Sequence, residues 1–208
     1  MYEKILCEEN KGGEIVRVYL ATKNPHKLKE VRMVTPSWIE ILALPDKLPE
    51  APENGETFLE NALMKATWYM KFLRAPVIAD DSGLEIDYLE GFPGVQSSRF
   101  MAGRSYREKM GVILRMLEGA DDRRARFVCQ AVYVEPGGVI VGSRGLVEGM
   151  IAHEIKGEKG FGYDPIFIPE GYEETFGQLG EEVKSRISHR SRAFKRLFEY
   201  LERLKSAC

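Results

Sequence analysis

Two adjacent carboxylates, Asp80 and Asp81, end a short apolar run, Pro76 to Ala79, and are followed by Ser82-Gly83. Desolvating neighbouring carboxylates together is costly, and a hard cation such as Mg2+ relieves that cost through oxygen ligands. Strand side chains alternate, so at most one of the pair faces a given cleft while the strand persists. A plain strand-to-turn transition uses the same residue types. The apolar lead-in favours a site, because ligands of α/β sheets sit beyond the carboxyl ends of strands. Upstream lie Glu50, Glu53, Glu56 and Glu60, with Asn61 and Lys65. Glu53 falls in a loop before a helix and could complete a metal site with Asp81. By itself the stretch reads first as a solvated acidic loop that complements a helix dipole.

Three further segments carry polar chemistry. Thr22-Lys23-Asn24-Pro25-His26-Lys27 joins a strand to a helix N-terminus, where free N–H groups and the dipole favour phosphate. Thr22 and Asn24 add hydrogen-bonding groups and Lys27 adds charge, but the glycines of a P-loop are missing. Alone, the segment reads first as a capped helix with surface lysines. Phe161-Gly162-Tyr163-Asp164-Pro165 could stack on a base, an interaction worth roughly 1–3 kcal/mol; a core aromatic beside a turn is an equal reading. Lys184 and then Ser188-His189-Arg190 precede the last helix. Cations at a helix N-terminus oppose the dipole, and such local violations cluster at functional sites.

The elements that must position these groups follow from periodicity and caps. Ile15 to Ala21 and Glu40 to Leu44 read as strands. Asn24 is an N-cap and Pro25 suits the first helical position. Thr57 and Glu60 form a capping box for a helix to about Leu73, with Phe58, Ala62, Ala66, Tyr69 and Leu73 on one stripe. The run from Pro76 reads as a buried strand ending at Asp80 to Gly83, with Leu84 to Leu89 as a further strand. A helix is expected around Tyr106 to Leu117. Ala125 to Val134 and Val139 to Val147 flank Glu135-Pro136-Gly137-Gly138 as a hairpin. The last helix is expected from about Ser191, with Phe194, Leu197, Phe198, Leu201 and Leu204 as its stripe. Early strand–helix alternation and a later hairpin predict an α/β fold with a mixed sheet.

The 208 residues carry 30 Lys+Arg against 32 Asp+Glu, a formal charge of −2, which argues against a protein built to coat nucleic acid. The charge is uneven, however: Lys184 to Lys205 holds eight basic residues against Glu199 and Glu202. Three cysteines (Cys7, Cys129, Cys208) and three histidines (His26, His153, His189) form neither a disulfide framework nor a zinc spacing. The expectation is a reducing, cytoplasmic compartment with no membrane segment. Residues 1–16 read as an N-terminal extension and 17–208 as one domain.

In their order, the strand ending in Thr22 to Lys27, the run from Glu53 to Ala66, Asp80-Asp81-Ser82-Gly83-Leu84, Gly91-x-Pro93-Gly94, Gly160-Phe161-Gly162-Tyr163-Asp164-Pro165 and Ser188-His189-Arg190 resemble the inosine/xanthosine triphosphate pyrophosphatases. The resemblance spans about Arg17 to Leu204. It implies an elongated, two-lobed fold around a central mixed sheet flanked by helices, with the active site in the cleft between lobes. It implies a nucleotide-binding hydrolase, a homodimer and Mg2+-dependent conversion of ITP, dITP or XTP to monophosphate and pyrophosphate. Carried over residue by residue, Glu53 and Asp81 match metal-binding acids, and Asp81 also the general base. Thr22, Lys23, Asn24, Pro25, His26, Lys27 and Ser82 match phosphate-holding positions, and Lys65 supplies further positive charge for the phosphates. Phe161, Gly162, Tyr163, Asp164, Lys184, His189 and Arg190 match nucleotide contacts, the last two toward the base. The chain departs from the family pattern at Gly177-Gln178-Leu179, at Ser185 and at Gln96. Other readings are a general nucleoside triphosphatase releasing orthophosphate, and a noncatalytic nucleotide- or RNA-binding module.

Overall fold

The computed structural model describes residues 15–207. The expected N-terminal extension, residues 1–16, lies outside these apart from Ile15 and Val16, and Val16 opens the first strand. In chain order the elements are β1 (Val16–Leu20), α1 (Pro25–Arg32), β2 (Ile39–Ala43), α2 (Phe58–Leu73), β3 (Val77–Ile86), α3 (Tyr106–Met116), β4 (Arg124–Val134), β5 (Ile140–Ile151), β6 (Phe167–Pro169), α4 (Phe176–Leu179), α5 (Glu181–Ile187) and α6 (His189–Ser206). The six strands form one sheet in the order β2-β1-β3-β4-β5-β6. It is mixed: β1 runs parallel to β2 and β3, whereas β5 and β6 are antiparallel. The predicted mixed α/β architecture is therefore present.

Local signals explain most element starts. The Asn24 side chain accepts from the N–H of His26 (2.9 Å) and Lys27 (3.4 Å), and Pro25 opens α1. Thr57 and Glu60 close the capping box of α2, and Ser105 with Glu108 does the same for α3. Such caps contribute about 1 kcal/mol each.

The chain divides into two compact units. One comprises the residues up to Asp81, Cys129–Gly145 and the chain from Arg190; the other is Ser82–Val128 with Leu146–His189. In the first unit the strand period of two divides the buried residues between two packing layers. Val18, Leu20, Ile78, Cys129 and Tyr133 pack with Phe194, Leu197 and Leu201 of α6. Tyr19, Ala21, Val77, Ala79, Val132 and Val134 pack with Ala62, Ala66 and Tyr69 of α2. In the second unit Leu84, Ile86, Ile113, Leu117, Phe127, Tyr163, Phe167 and Phe176 form the core.

Several expectations change. The strand from Val77 does not stop at Asp80 to Gly83 but continues to Ile86, and Asp87–Leu89 is a short 3-10 turn. Pairing with β1 covers only Val77 and Ile78, so past Asp80 it is the other neighbour, β4, that outweighs the turn preference of Ser-Gly. Helix α6 begins at His189 rather than about Ser191, and the short helices α4 and α5 were not anticipated. Leu204, expected on the apolar stripe, is exposed.

Candidate functional site

Leu20 pairs with Ile78, so Thr22 and Asp80 each stand two residues beyond the same rung of two parallel strands. That is the carboxyl end of β1 and of its parallel pairing with β3, the kind of place where α/β folds collect ligands. Thr22 Oγ1 accepts from the Asn24 N–H at 3.1 Å, which shapes the turn that presents the α1 N-terminus. Within this segment Thr22, Asn24 and Lys27 are half-buried, while Lys23, Pro25 and His26 are exposed. Lys23 pairs with Glu50 at 3.2 Å.

Strand parity sends the two aspartates apart. Asp80 follows Ile78 toward α1 and α6 and is fully buried. Its Oδ2 accepts from Lys27 Nζ at 3.0 Å and Arg190 Nε at 3.2 Å, and the Cys129 Sγ lies 3.8 Å away. Burial would raise its proton affinity, but Lys27, Arg190 and Lys65 outweigh burial and hold the carboxyl well below the usual range. The same burial, with Asp80 beside it, pushes the Cys129 thiol up, so it remains protonated.

Asp81 follows Ala79 toward α2. Its Oδ2 accepts a hydrogen bond from Asn61 Nδ2 at 3.1 Å. Burial raises its proton affinity, Lys65 and Lys27 oppose this, and the nearby Glu53 and Asp80 charges add to it. Lys65, buried on α2, bonds the main-chain oxygen of Asp80 at 3.1 Å and forms an ion pair with Glu53. Burial favours its neutral form, yet Asp80 and Glu53 overcome burial and keep it charged. Asn61 Oδ1 also accepts the Gly55 N–H at 2.9 Å and so ties the loop that carries Glu53. The structure thus gathers Lys27, Glu53, Lys65, Asp81 and Arg190 in one unit. It adds Asp80, Asn61 and Glu30, which sequence reasoning did not assign. A signal for Asn61 existed: Asn61 and Lys65 interrupt the apolar stripe of α2 at a spacing of four.

The remaining residues belong to the second unit. Ser82, half-buried, continues β3. Phe161 is half-exposed, and Lys184 Nζ lies 4.2 Å from its ring centroid. Lys184 is itself buried and bonded to Asp164 at 2.6 Å, and Asp164 also accepts the Phe161 N–H at 2.8 Å. Gly160 has φ +75°, and a Cβ there would come within 2.2 Å of Asp164 Oδ2, so only glycine lets this loop close. Gly162 shares the left-handed conformation. Tyr163 is buried, and its hydroxyl donates to the Ser97 carbonyl at 2.9 Å. His189 stacks on Phe127 with centroids 4.8 Å apart. His189 and Arg190, expected to act together toward a base, therefore have different surroundings: Arg190 bonds Asp80 and Glu30 in the first unit.

At Gly177 the departure from the family pattern has a steric account. A Cβ there would meet the Lys156 carbonyl at 2.7 Å and Pro165 Cα at 2.8 Å. Gln178 closes a capping box with Thr175. Nothing in the structure explains Gln96.

Comparison with known proteins bears on these arrangements. The Ham1 family model matches residues 18–200. A dITP/XTP pyrophosphatase of Ignicoccus hospitalis is 46% identical over 189 residues, which cover 89% of this chain and 96% of that protein. One of Aquifex aeolicus is 39% identical over 203 residues, covering 92% and 100%. Among solved structures, a HAM1 protein from Coxiella burnetii superposes with a TM-score of 0.83 at 36% identity, covering 91% of this chain and all of that one. A match of this extent and identity, across nearly the full domain, means that this chain belongs to the Ham1 family.

Proposed function

We propose that this chain hydrolyses noncanonical purine nucleoside triphosphates (ITP, dITP and XTP) to the nucleoside monophosphate and pyrophosphate, which clears them from the nucleotide pool. The observation that carries the reading is Asp81 with Glu53 beside buried, charged Lys65, on a strand whose neighbour feeds the α1 N-terminus and Lys27. The dITP/XTP pyrophosphatase names of the relatives support the same substrate class.

Glu53 and Asp81 are the residues that would hold Mg2+. They offer only oxygen donors and sense each other's charge. Among the described residues no group of three or more His, Cys, Asp or Glu is assembled to hold a metal. Two carboxylates suit Mg2+, which commonly keeps waters and takes its other oxygens from substrate phosphates. When bound, the ion neutralises charge on the phosphoanhydride.

The protein's own groups do the rest. Hydrolysis of a phosphoanhydride needs charge neutralisation and an oriented water more than a covalent nucleophile. Lys23 and Lys27 bring positive charge to the phosphates, and Thr22, Asn24, Pro25 and His26 form the α1 N-terminus whose dipole favours them, with Lys65 and Ser82. Asp81, oriented by Asn61, accepts the proton of the attacking water. Phe161, Gly162, Tyr163, Asp164, Lys184 and His189 take the nucleoside, with the Phe161 ring as the stacking surface. Hypoxanthine and xanthine carry a carbonyl at position 6 where adenine carries an amino group. Donor groups donate to the former and are left unpaired by the latter.

The reading includes a homodimer in the cytoplasm and a nucleotide, not a nucleic acid, as ligand. Near-neutral charge supports the last point, and no helix among the described residues is long and apolar enough to cross a membrane. The test is a panel of ITP, dITP, XTP, ATP and GTP with Mg2+ and identification of both products. Pyrophosphate from the first three is expected, and orthophosphate would overturn the proposal. Light scattering on the eluting protein tests the dimer.

A further inference from the structure

We propose that Tyr106, the first residue of α3, is a positioning residue for the nucleoside: its ring holds loop 161–164 at Gly162, and Lys109 holds that ring in turn. The proposal rests on the reading above that this loop takes the nucleoside, with the Phe161 ring as the stacking surface.

The contacts form a closed circuit within the second unit. The Tyr106 ring meets the Tyr163 ring edge to face, with centroids 5.3 Å apart and an interplanar angle of 87°. Tyr163 donates through its hydroxyl to the Ser97 carbonyl at 2.9 Å. The next carbonyl, that of Ser98, accepts from Lys109 Nζ at 2.7 Å. Lys109 Nζ lies 4.8 Å from the Tyr106 centroid, which returns the circuit to the first ring. Ser97 is itself anchored: its Oγ donates to the Gly94 carbonyl at 2.6 Å and accepts the Leu84 N–H at 2.9 Å. Gly162 gives the ring its hold on the loop, since a Cβ there would lie 3.7 Å from Tyr106 Cε1.

Two features separate this circuit from ordinary core packing. Lys109 is 4% exposed, yet its ammonium pairs with no carboxylate among the described residues. A buried ammonium is costly unless its surroundings satisfy it, and here a carbonyl and the Tyr106 ring do so. Tyr106 itself remains 38% exposed, so burial of its own surface does not account for the support it receives. The support instead serves the loop. Asp164 accepts the Phe161 N–H, and Tyr106 adds a hold on the residue that follows. A stacking surface that is ordered before the ligand arrives binds more tightly, because less freedom is lost on binding. Burial and the Asp164 charge raise the proton affinity of Tyr106, so the phenol stays neutral. Each contact that Tyr106 makes in the circuit is made by its ring.

The experiment compares Tyr106→Ala, Tyr106→Phe and Lys109→Met with the wild-type chain. Its readouts are kcat and KM for ITP with Mg2+, calorimetric binding of IMP and of pyrophosphate, and amide hydrogen exchange over residues 160–164 without ligand. Tyr106→Ala is expected to raise KM and weaken IMP about two- to tenfold, the worth of one aromatic pair, with kcat and pyrophosphate affinity near the wild-type values. Exchange of the loop amides should rise with it. Tyr106→Phe should restore all of these, since the ring makes the contacts. Lys109→Met should show the same pattern in smaller measure. Combined with Tyr106→Ala it should do less than multiply, because it acts through that ring. A loss in Tyr106→Phe equal to that in Tyr106→Ala would put the hydroxyl on the nucleotide and overturn the proposal. So would a parallel loss of pyrophosphate affinity, or unchanged exchange of the loop. Thermal melts check folding, and if Tyr106→Ala is unfolded, Tyr106→Leu takes its place with the same expected pattern. Failure of the functional reading is separate: the wild-type chain would then neither release pyrophosphate nor bind IMP, whereas the exchange still decides whether Tyr106 holds the loop.

Discussion

Asn61 and Asp81 are joined by a 3.1 Å hydrogen bond from the amide nitrogen to Oδ2, and the amide oxygen accepts from Gly55 at 2.9 Å. One side chain on α2 therefore sets both the orientation of a carboxylate on β3 and the course of the loop that carries Glu53. The amide is fully buried, so neither bond is readily replaced by water.

Asn61→Leu should therefore lower kcat more than it raises KM. It should also cost about 1–3 kcal/mol of stability, since the Gly55 N–H and the Asp81 carboxylate each lose a partner. Denaturant unfolding and steady-state kinetics on the same preparation check both. A change in KM alone would mean that Asn61 acts on substrate rather than through Asp81.

Asp81→Asn should abolish turnover yet raise the melting temperature of the metal-free protein. The sign follows from the shift: a carboxyl whose folded-state pKa is raised by burial binds its proton more tightly when folded. Its ionised form thus penalises folding above that pKa, and the penalty disappears as pH falls through it. The neutral amide removes the penalty at all pH values. In the metal-free protein the carboxyl therefore titrates above the ordinary carboxylate range, and the pH dependence of the stability difference between wild type and Asp81→Asn reads it. Lys65 lowers the Asp81 value, so in the metal-free protein Lys65→Met should move that titration to higher pH. Asp80 has the opposite sign. Its folded-state value is depressed, so its stabilisation is complete above the unfolded value of about 3.8 and declines as pH falls below it.

Added Mg2+ should raise the melting temperature of the wild-type chain, by up to about 2.7 kcal/mol equivalent at a hundredfold excess over Kd. Glu53→Gln should weaken this response, and Asp81→Asn should remove it. A chelator should abolish turnover reversibly. An unchanged Mg2+ response in both variants would place the ion elsewhere.

Gly160→Ala should destabilise the Phe161 to Asp164 loop by about 1–3 kcal/mol, through the positive φ and the contact with Asp164. The Lys184–Asp164 pair would be disturbed with it. The expected signature is a larger KM with a nearly unchanged response to Mg2+.

The local elements were legible because their signals are local. The Thr57 and Glu60 capping box, Asn24 before Pro25, and the apolar stripe of α2 each act within a few residues, and α1 and α2 form where they predict. Strand β3 was misread because Ser82-Gly83 has turn character, whereas a neighbouring strand distant in sequence, β4, decides whether the strand continues. Helices α4 and α5 are too short to show a period.

For the site, residue identity and alternation already stated that Asp80 and Asp81 must part. Which of them meets α2 and which meets α6 depends on which helix covers each sheet face, and only packing decides that. The alternating pairs of Lys27, Asp80, Arg190 and Glu30 join residues up to 160 positions apart. No period or cap encodes such a separation, because those contacts form only when burial brings distant segments together. Thus the sequence by itself determined the class of fold, the motif order and the carboxylate–lysine chemistry. Tertiary structure decided which carboxylate is oriented by Asn61 and which is consumed in holding Lys27 and Arg190, because charge pairing in a buried layer depends on what is opposite rather than what is adjacent.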